Sequence, residues 1–511
     1  MATPNEKLAA ALEALRSVQA NGRVAIRSRD LSRTVRALLT KHGFLQEVMK
    51  GWYIPARPGV DPGESTAWYS SYWDFCRDYL NERFGDQWAL TPEQSLVLHA
   101  GNTSVPAQLL VRATRANRIT THFIHGTSLF EGSNSLPGTG DVVILNGLRL
   151  FQPEAALVAA LPTFFENHPT EARTVLSTQR DASALLERLL RGGHTVVAGR
   201  LAGAFRNIGR DREADTILKT MRAADYQTRE VDPFRDQVTR APYRRDPSPY
   251  VQRIRMLWQK MREDIPGRFP PPTAKINDAE AYLRQVDEIY VSDAYHSLSI
   301  EGYQVGRELI ERVRRGAYNP EQDKADLDLE NALAARGYWL AFQAVKSSVR
   351  RVLEGRNPGA VADEDHGSWY RELFAPKVTA GILKPENLAG YRTSPVYLRG
   401  SRHVPLNPEA VRDAMPAFFE LLRDEPDPAA RIVLGHFIYV YIHPYMDGNG
   451  RTGRFLMNVM MAAGGYPWTV IPVQMRTEYM AALEAASVDQ DIRPFADFLA
   501  GRIGQAAPPS Q

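Results

Sequence analysis

The chain has 511 residues, 44 % hydrophobic and 24 % charged, which is the balance of a globular protein and not of a disordered or fibrous one; at about 150 residues per domain it holds about three domains. With 62 Lys and Arg against 59 Asp and Glu, the formal charge is only +3, so any nucleic-acid contact has to come from local clustering. The single cysteine, Cys76, excludes a disulfide framework and a cysteine-built metal site within one chain.

The opening MATPNEKLAA has no basic segment followed by an apolar core, so no secretory signal is expected. Residues 6–19 (EKLAAALEALRSVQ) are rich in helix formers, with Leu8, Leu12 and Leu15 on one face. In RVAIRSRDLSRTVRALLTKHG, Ser28 or Asp30 is expected to cap a helix that carries Leu31, Val35, Leu38 and Leu39 and stops at Gly43. FLQEVMKGWYIPA alternates around Lys50-Gly51 as a small hairpin does. Helix, helix, hairpin is the order of a winged helix-turn-helix, expected over 1–85. Between positions 21 and 57, eight basic residues (Arg23, Arg27, Arg29, Arg33, Arg36, Lys41, Lys50, Arg57) face two acidic ones, Asp30 and Glu47, a local net of +6. Such a patch either neutralises phosphates of duplex DNA or forms a solvated face of long cationic side chains.

From 86 to about 150 the pattern is α+β: TPEQSLVLHAG reads as a helix, and QLLVRAT, THFIHGT and DVVILNG as short strands. Helices follow to about 225. The stretch 226–275 combines an Arg-, Asp- and Pro-laden segment with IPGRFPPPTA and is expected to be a linker. From 276 to 505 helices dominate. The longest apolar runs, Val142–Leu145 and Phe437–Ile442, are far shorter than the ~20 residues of a membrane span. A cytoplasmic protein without a membrane partner is therefore expected.

Chemistry concentrates at 436–458, HFIYVYIHPYMDGNGRTGRFLMN. An apolar run ends at His443-Pro444, a compact loop follows, and a new helix carries Arg451 and Arg454. Gly448 and Gly450 allow converging backbone N–H groups at a helix N-terminus, an anion-binding nest. Arg451 and Arg454, three apart, add two guanidinium forks suited to a polyphosphate. Asp447 is acidic among these cations, which makes sense beside magnesium bridging phosphate oxygens. His443 has the pKa range of a general base. A hairpin turn is the first alternative for DGNG, but helical sequence follows it. A calcium loop fails, because Arg451 and Asn458 occupy ligand positions. A core histidine is the third alternative for His443.

His443 to Arg454, HPYMDGNGRTGR, resembles the signature HPFx(D/E)GNGRxxR of Fic-domain nucleotidyltransferases, with Tyr445 in place of Phe. That ring needs an outlet for its hydroxyl. LAGYRTSPVYLRGSRHVPLNPEAVRDAM (388–415) resembles the family segment containing the β-hairpin flap that clamps the target. RTEYMAALEAASVDQDIRPFADFL (476–499) resembles its closing helices. In HSLSIEG, Ser297, Glu301 and Gly302 match the inhibitory (S/T)xxxE(G/N) helix, placed near 283–302. The resemblance implies an all-α Fic fold with a small β-hairpin flap. It implies transfer of AMP from ATP to a Ser, Thr or Tyr hydroxyl of a target protein. His443 would deprotonate that hydroxyl and Asp447 would hold magnesium. Gly448, Asn449, Gly450, Arg451 and Arg454 would bind the nucleotide, and Ser297 and Glu301 would restrain it. Another transferred nucleotide, AMP removal, or ATP sensing by a DNA-binding regulator are the alternatives, and a homodimer is allowed. More loosely, the front half, with its Gly51-Trp52-Tyr53 wing and LTPEQSLVLHAG, resembles AbiE-type antitoxins and transcriptional regulators.

Overall fold

A computed structural model describes residues 3–20, 22–59, 64–235, 248–272, 276, 278–316 and 326–503. The chain divides into two compact units: Met1–Arg253 with Tyr397–Val404, and Ile254–Val396 with Pro405–Gln511.

In the first unit, α1 (Pro4–Val18) starts at a capping box. Thr3 accepts from the Glu6 N–H, and the Glu6 carboxylate accepts from the Thr3 N–H at 2.7 Å. After β1 (Ile26–Arg27), α2 (Arg33–Lys41) is capped by Ser32, not by Ser28 or Asp30. Asp30 instead closes a local turn by accepting the Arg27 N–H at 2.7 Å. The expected hairpin forms as β2 (Leu45–Met49) and β3 (Trp52–Pro55), and β3 lies between β1 and β2 in an antiparallel sheet. Ala11, Leu15, Ile26, Leu31, Leu39 and Leu45 form the core beneath it. Between β1 and α2, residues 28–31 form only the Asp30 turn. The basic cluster is partly neutralised within the unit. Arg23 pairs with Asp30 at 3.0 Å, Arg27 and Arg29 both pair with Glu82, and Arg36 donates to the Ser28 carbonyl.

Helix α3 (Thr66–Phe84) buries Trp68, Tyr72, Phe75 and Tyr79. Then come β4 (Trp88–Leu90), α4 (Pro92–His99), β5 (Gln108–Ala113), β6 (Thr120–His122) and β7 (Ser128–Gly132), joined as a sheet in the order β4-β5-β7-β6 with only β5 and β7 parallel. The hairpin β8 (Val142–Leu145) and β9 (Leu148–Phe151) follows. Six helices complete the region: α5 (Pro153–Ala159), α6 (Pro162–Asn167), α7 (Pro169–Thr178), α8 (Ser183–Gly192), α9 (Thr195–Asn207) and α10 (Asp211–Ala223).

The expected linker contains a helix, α11 (Pro249–Arg262). Val251, Ile254, Leu257, Trp258 and Met261 recur on one buried face, a period that the flanking Arg and Pro residues obscure in sequence. Residues 236–247 and 273–275 of that stretch lie outside the described residues.

The second unit is helical: α12 (Ala279–Ile300), α13 (Arg307–Arg314), α14 (Asp326–Leu353), α15 (Pro358–Thr379), α16 (Pro408–Asp424), α17 (Pro428–Ile442), α18 (Asn449–Ala463), α19 (Arg476–Glu484) and α20 (Arg493–Ala500). Helix α17 is apolar on every side and almost wholly buried, including Ile432, Val433, Leu434, Phe437 and Ile438. Each such side chain contributes about 1.5–3 kcal/mol on burial, so the helix that delivers His443 is firmly held. Residues 317–325 and 504–505 of the expected domain lie outside the described residues.

The β-hairpin flap expected within 388–415 carries no strand. Pro395 and Pro405 bracket the segment and offer no N–H to a ladder. Its middle turns at Gly400 (φ 73°), where the Ser401 N–H bonds the Leu398 carbonyl. Residues 397–404 cluster with the first unit, where the Arg402 carbonyl accepts from the Val105 N–H at 2.8 Å and the Val404 carbonyl from the Thr103 hydroxyl at 3.2 Å. Among the described residues no helix is long and apolar enough to cross a membrane.

Candidate active site

Asp427 caps the start of α17 by accepting from the Ala430 N–H, and the helix ends where His443 enters the left-handed region (φ 56°, ψ 63°). For a non-glycine residue that conformation costs about 1–2 kcal/mol. It aims the chain out of the helix into Pro444 and the loop. The His443 Nδ1 donates to the Val440 carbonyl at 3.2 Å, leaving the Nε2 lone pair available. Burial pushes the imidazole down to about 4, the Val440 bond working against it and Arg392 with it. It is therefore neutral at physiological pH, as a proton acceptor must be.

Asn449 closes the loop. Its Oδ1 accepts from the Tyr445 N–H and its Nδ2 donates to the Tyr445 carbonyl, both at 2.9 Å. The Asn449 amide is buried and engaged with the loop itself. Gly448, left-handed at φ 80°, caps α18, and a Cβ there would come within 2.8 Å of the Phe374 ring. At Gly450 a Cβ would strike the Glu301 carboxylate. At Gly448 the left-handed backbone and the Phe374 ring together exclude a side chain, so the tight turn into α18 needs glycine there.

Arg451 is 1 % exposed, with its guanidinium 5.3 Å from the Tyr303 ring and 5.1 Å from that of Phe374. Its Nη2 lies 3.3 Å from Asp447 Oδ2, and its buried Nε has no hydrogen-bond partner in the protein. Arg454 is gripped by α12: Nε donates to Ser297 Oγ at 2.9 Å, and Nη2 to the Ser297 carbonyl at 3.0 Å and Glu301 Oε1 at 2.7 Å. Its Nη1 is buried and unpartnered. Two unsatisfied guanidinium nitrogens beside the N-terminus of α18 are what a polyphosphate would complete. Asp447 is exposed, with Oδ1 accepting from the Gly448 N–H at 2.5 Å. A single exposed carboxylate beside a phosphate nest suits magnesium, which takes one or two carboxylates and otherwise phosphate and water oxygens.

The structure thus brings His443, Asp447, Gly448, Asn449, Gly450, Arg451, Arg454, Ser297 and Glu301 to one place. The sequence reading missed Tyr303 and Phe374, which bracket Arg451, and Asp293, which accepts from the Tyr338 hydroxyl at 2.6 Å and whose carboxyl burial pushes up to about 6. It also passed over Arg392, whose only sequence signal was its place in LAGYR. Tyr445 stacks on Tyr370 (ring centroids 3.8 Å apart) and borders a cavity of about 600 Å³ with His366, Tyr391 and Arg412.

Residues 368–461 match the Fic/DOC family. This region is a Fic/DOC domain. Over 229 residues the chain is 37 % identical to the protein adenylyltransferase fic-1 of Caenorhabditis elegans, covering 44 % of this chain and 42 % of the relative. Over 230 residues it is 32 % identical to the protein adenylyltransferase Fic of Drosophila grimshawi, covering 44 % of each. The chain spans under half the length of these curated relatives. A solved C. elegans Fic-1 fragment aligns over 63 % of this chain and 89 % of its own, at 21 % identity and a TM-score of 0.37.

Proposed function

We propose that the Fic domain is a protein adenylyltransferase that moves AMP from ATP to a Ser, Thr or Tyr hydroxyl of a target protein, and that Glu301 restrains it. What carries the reading is the union of an available His443 Nε2 with an anion nest flanked by two incompletely paired arginines. Adenylyltransferase relatives support the same reaction.

His443 Nε2 takes the proton of the incoming hydroxyl. The freed oxygen attacks the α-phosphorus, the bond to the bridging oxygen breaks, and pyrophosphate leaves with the electron pair. Loop amides from Gly448 to Gly450 and the two guanidinium groups hold the phosphates in line, so positioning and electrostatics supply most of the acceleration. Asp447 would hold magnesium, which when bound would supply charge neutralisation at the phosphates. With Arg454 engaged by Glu301, the cation meant for the terminal phosphate is occupied. Incubating the protein with magnesium and ATP labelled at either the α- or the γ-phosphate tests this. Label on protein from the α position alone supports AMP transfer, whereas label from the γ position contradicts it.

The second reading is a DNA-binding regulator whose Fic domain senses ATP. The basic residues Arg33, Lys41, Lys50 and Arg57 on and around α2 and the β2–β3 hairpin favour duplex DNA as a partner. Pairing of Arg23, Arg27 and Arg29 with Asp30 and Glu82 weakens it. An available base at His443 favours the enzyme, because sensing needs none. Retardation of promoter DNA by the full chain at low salt, lost as salt rises, would support the DNA contact.

A further inference from the structure

The buried polar groups of the second unit include one arginine that no carboxylate meets. Arg392 is 2 % exposed, and each of its donors reaches a backbone carbonyl. Its Nε donates to His443 O at 2.8 Å, its Nη1 to Ser394 O at 3.1 Å and its Nη2 to Leu406 O, while its own backbone N–H donates to Pro444 O at 2.9 Å. Two of these four bonds hold the residues that turn the chain out of α17, and the other two tie together both ends of the segment between 394 and 406.

We propose that Arg392 is a positioning residue for the transfer step, a clamp that fixes the left-handed backbone of His443, and with it the imidazole, relative to the two ends of the 394–406 segment. His443 sits at φ 56°, a conformation that a non-glycine residue keeps only when its surroundings over-determine it. The carbonyls of His443 and Pro444 both point at Arg392, so one side chain and one amide set the exit angle. A planar fork with donors on three separate nitrogens serves three separated carbonyls at once. A lysine ammonium has three donors too, but all on one nitrogen, so it cannot reach all three carbonyls in this arrangement. The cost of burying an unpaired cation is consistent with a role other than packing; burial alone pushes its guanidinium down to about 10.

This inference rests on the transfer reading above, and its test is built so that the two fail separately. Arg392→Gln and Arg392→Lys are made in the full chain carrying Glu301→Gly. AMP transfer, magnesium–ATP affinity by calorimetry, and the His443 carbonyl resonance in histidine-selectively labelled protein are measured in each. The clamp predicts that Arg392→Gln lowers kcat by at least tenfold, leaves ATP affinity within twofold, and moves the His443 resonance out of its parent position. Arg392→Lys recovers part of both kcat and resonance. An unchanged kcat and resonance in Arg392→Gln would overturn the proposal. So would a loss of ATP affinity in step with kcat in Arg392→Lys, which assigns Arg392 to general packing even if the Gln variant fails to fold. A moved resonance with no AMP transfer in the parent or any variant would uphold the clamp and overturn the transfer reading instead.

Discussion

Replacing Glu301 with glycine isolates the restraint from the fold. Glu301 is the C-cap of α12 (φ −82°, ψ −1°), and its backbone N–H bond to Leu298 survives the change. Gly302, at φ 92°, already ends the helix there. Arg454 keeps both Ser297 bonds, at 2.9 and 3.0 Å, so its position is retained. What disappears is one charge-assisted bond of 2.7 Å from a carboxylate only 26 % exposed. Such a bond is worth about 1.5–3 kcal/mol, and if ATP must break it to reach Arg454, its removal raises the rate roughly tenfold to a hundredfold. Initial rates of α-labelled AMP incorporation, for wild type and Glu301→Gly at magnesium–ATP well below KM, measure this directly, with self-modification rising in parallel. Thermal unfolding of the two proteins should agree within about 5 °C, since the change touches one partly exposed group. A Glu301→Gly protein no faster than wild type and equally stable would refute the restraint and leave the ion pair a structural contact.

Ser297→Ala removes the hydroxyl that accepts from the Arg454 guanidinium at 2.9 Å but leaves the Glu301 carboxylate on it, and should activate transfer less than Glu301→Gly in the same assay. Asp447→Ala should weaken magnesium-dependent ATP binding in calorimetry and lower turnover, while ATP binding in the presence of chelator changes little. Asn449→Ala breaks both buried bonds that close the loop and should lower stability by about 1–3 kcal/mol, read as a shift in the denaturation midpoint, with transfer falling alongside. Because His443 is held down to about 4 and is active when neutral, kcat/KM should stay level from pH 8 to about 5.5 and fall only below that. A limb near the ordinary imidazole value of about 6.5 would show that burial does not govern it.

The site was legible because its chemistry is contiguous. Twelve residues, 443–454, carry base, carboxylate, nest and both arginines, and Ser297 and Glu301 stand on a helix predicted near 283–302 and found at 279–300. That the Asn449 amide holds its own loop closed is not visible in sequence, which shows an amide but not its partners. Arg392, Tyr303 and Phe374 come from distant elements that only tertiary packing brings to the loop, so no local pattern marks them. At the other end of the chain, the alternation of β2 and β3 was plain. The cations of the neighbouring patch looked free because their partner, Glu82, lies more than fifty residues away. The flap was expected from resemblance alone, and two prolines and carbonyls bonded to Thr103 and Val105 leave 388–415 without a ladder.

The role proposed for His443 is to act on the incoming hydroxyl and not on the nucleotide. Intact-mass spectrometry after incubation with magnesium–ATP, on Glu301→Gly with and without His443→Ala, tests it when paired with ATP calorimetry on both proteins. A mass gain of one AMP is expected on Glu301→Gly, none on the His443→Ala variant, and nearly equal ATP affinities. An AMP adduct that persists without His443, or an ATP affinity that collapses with it, would overturn that role.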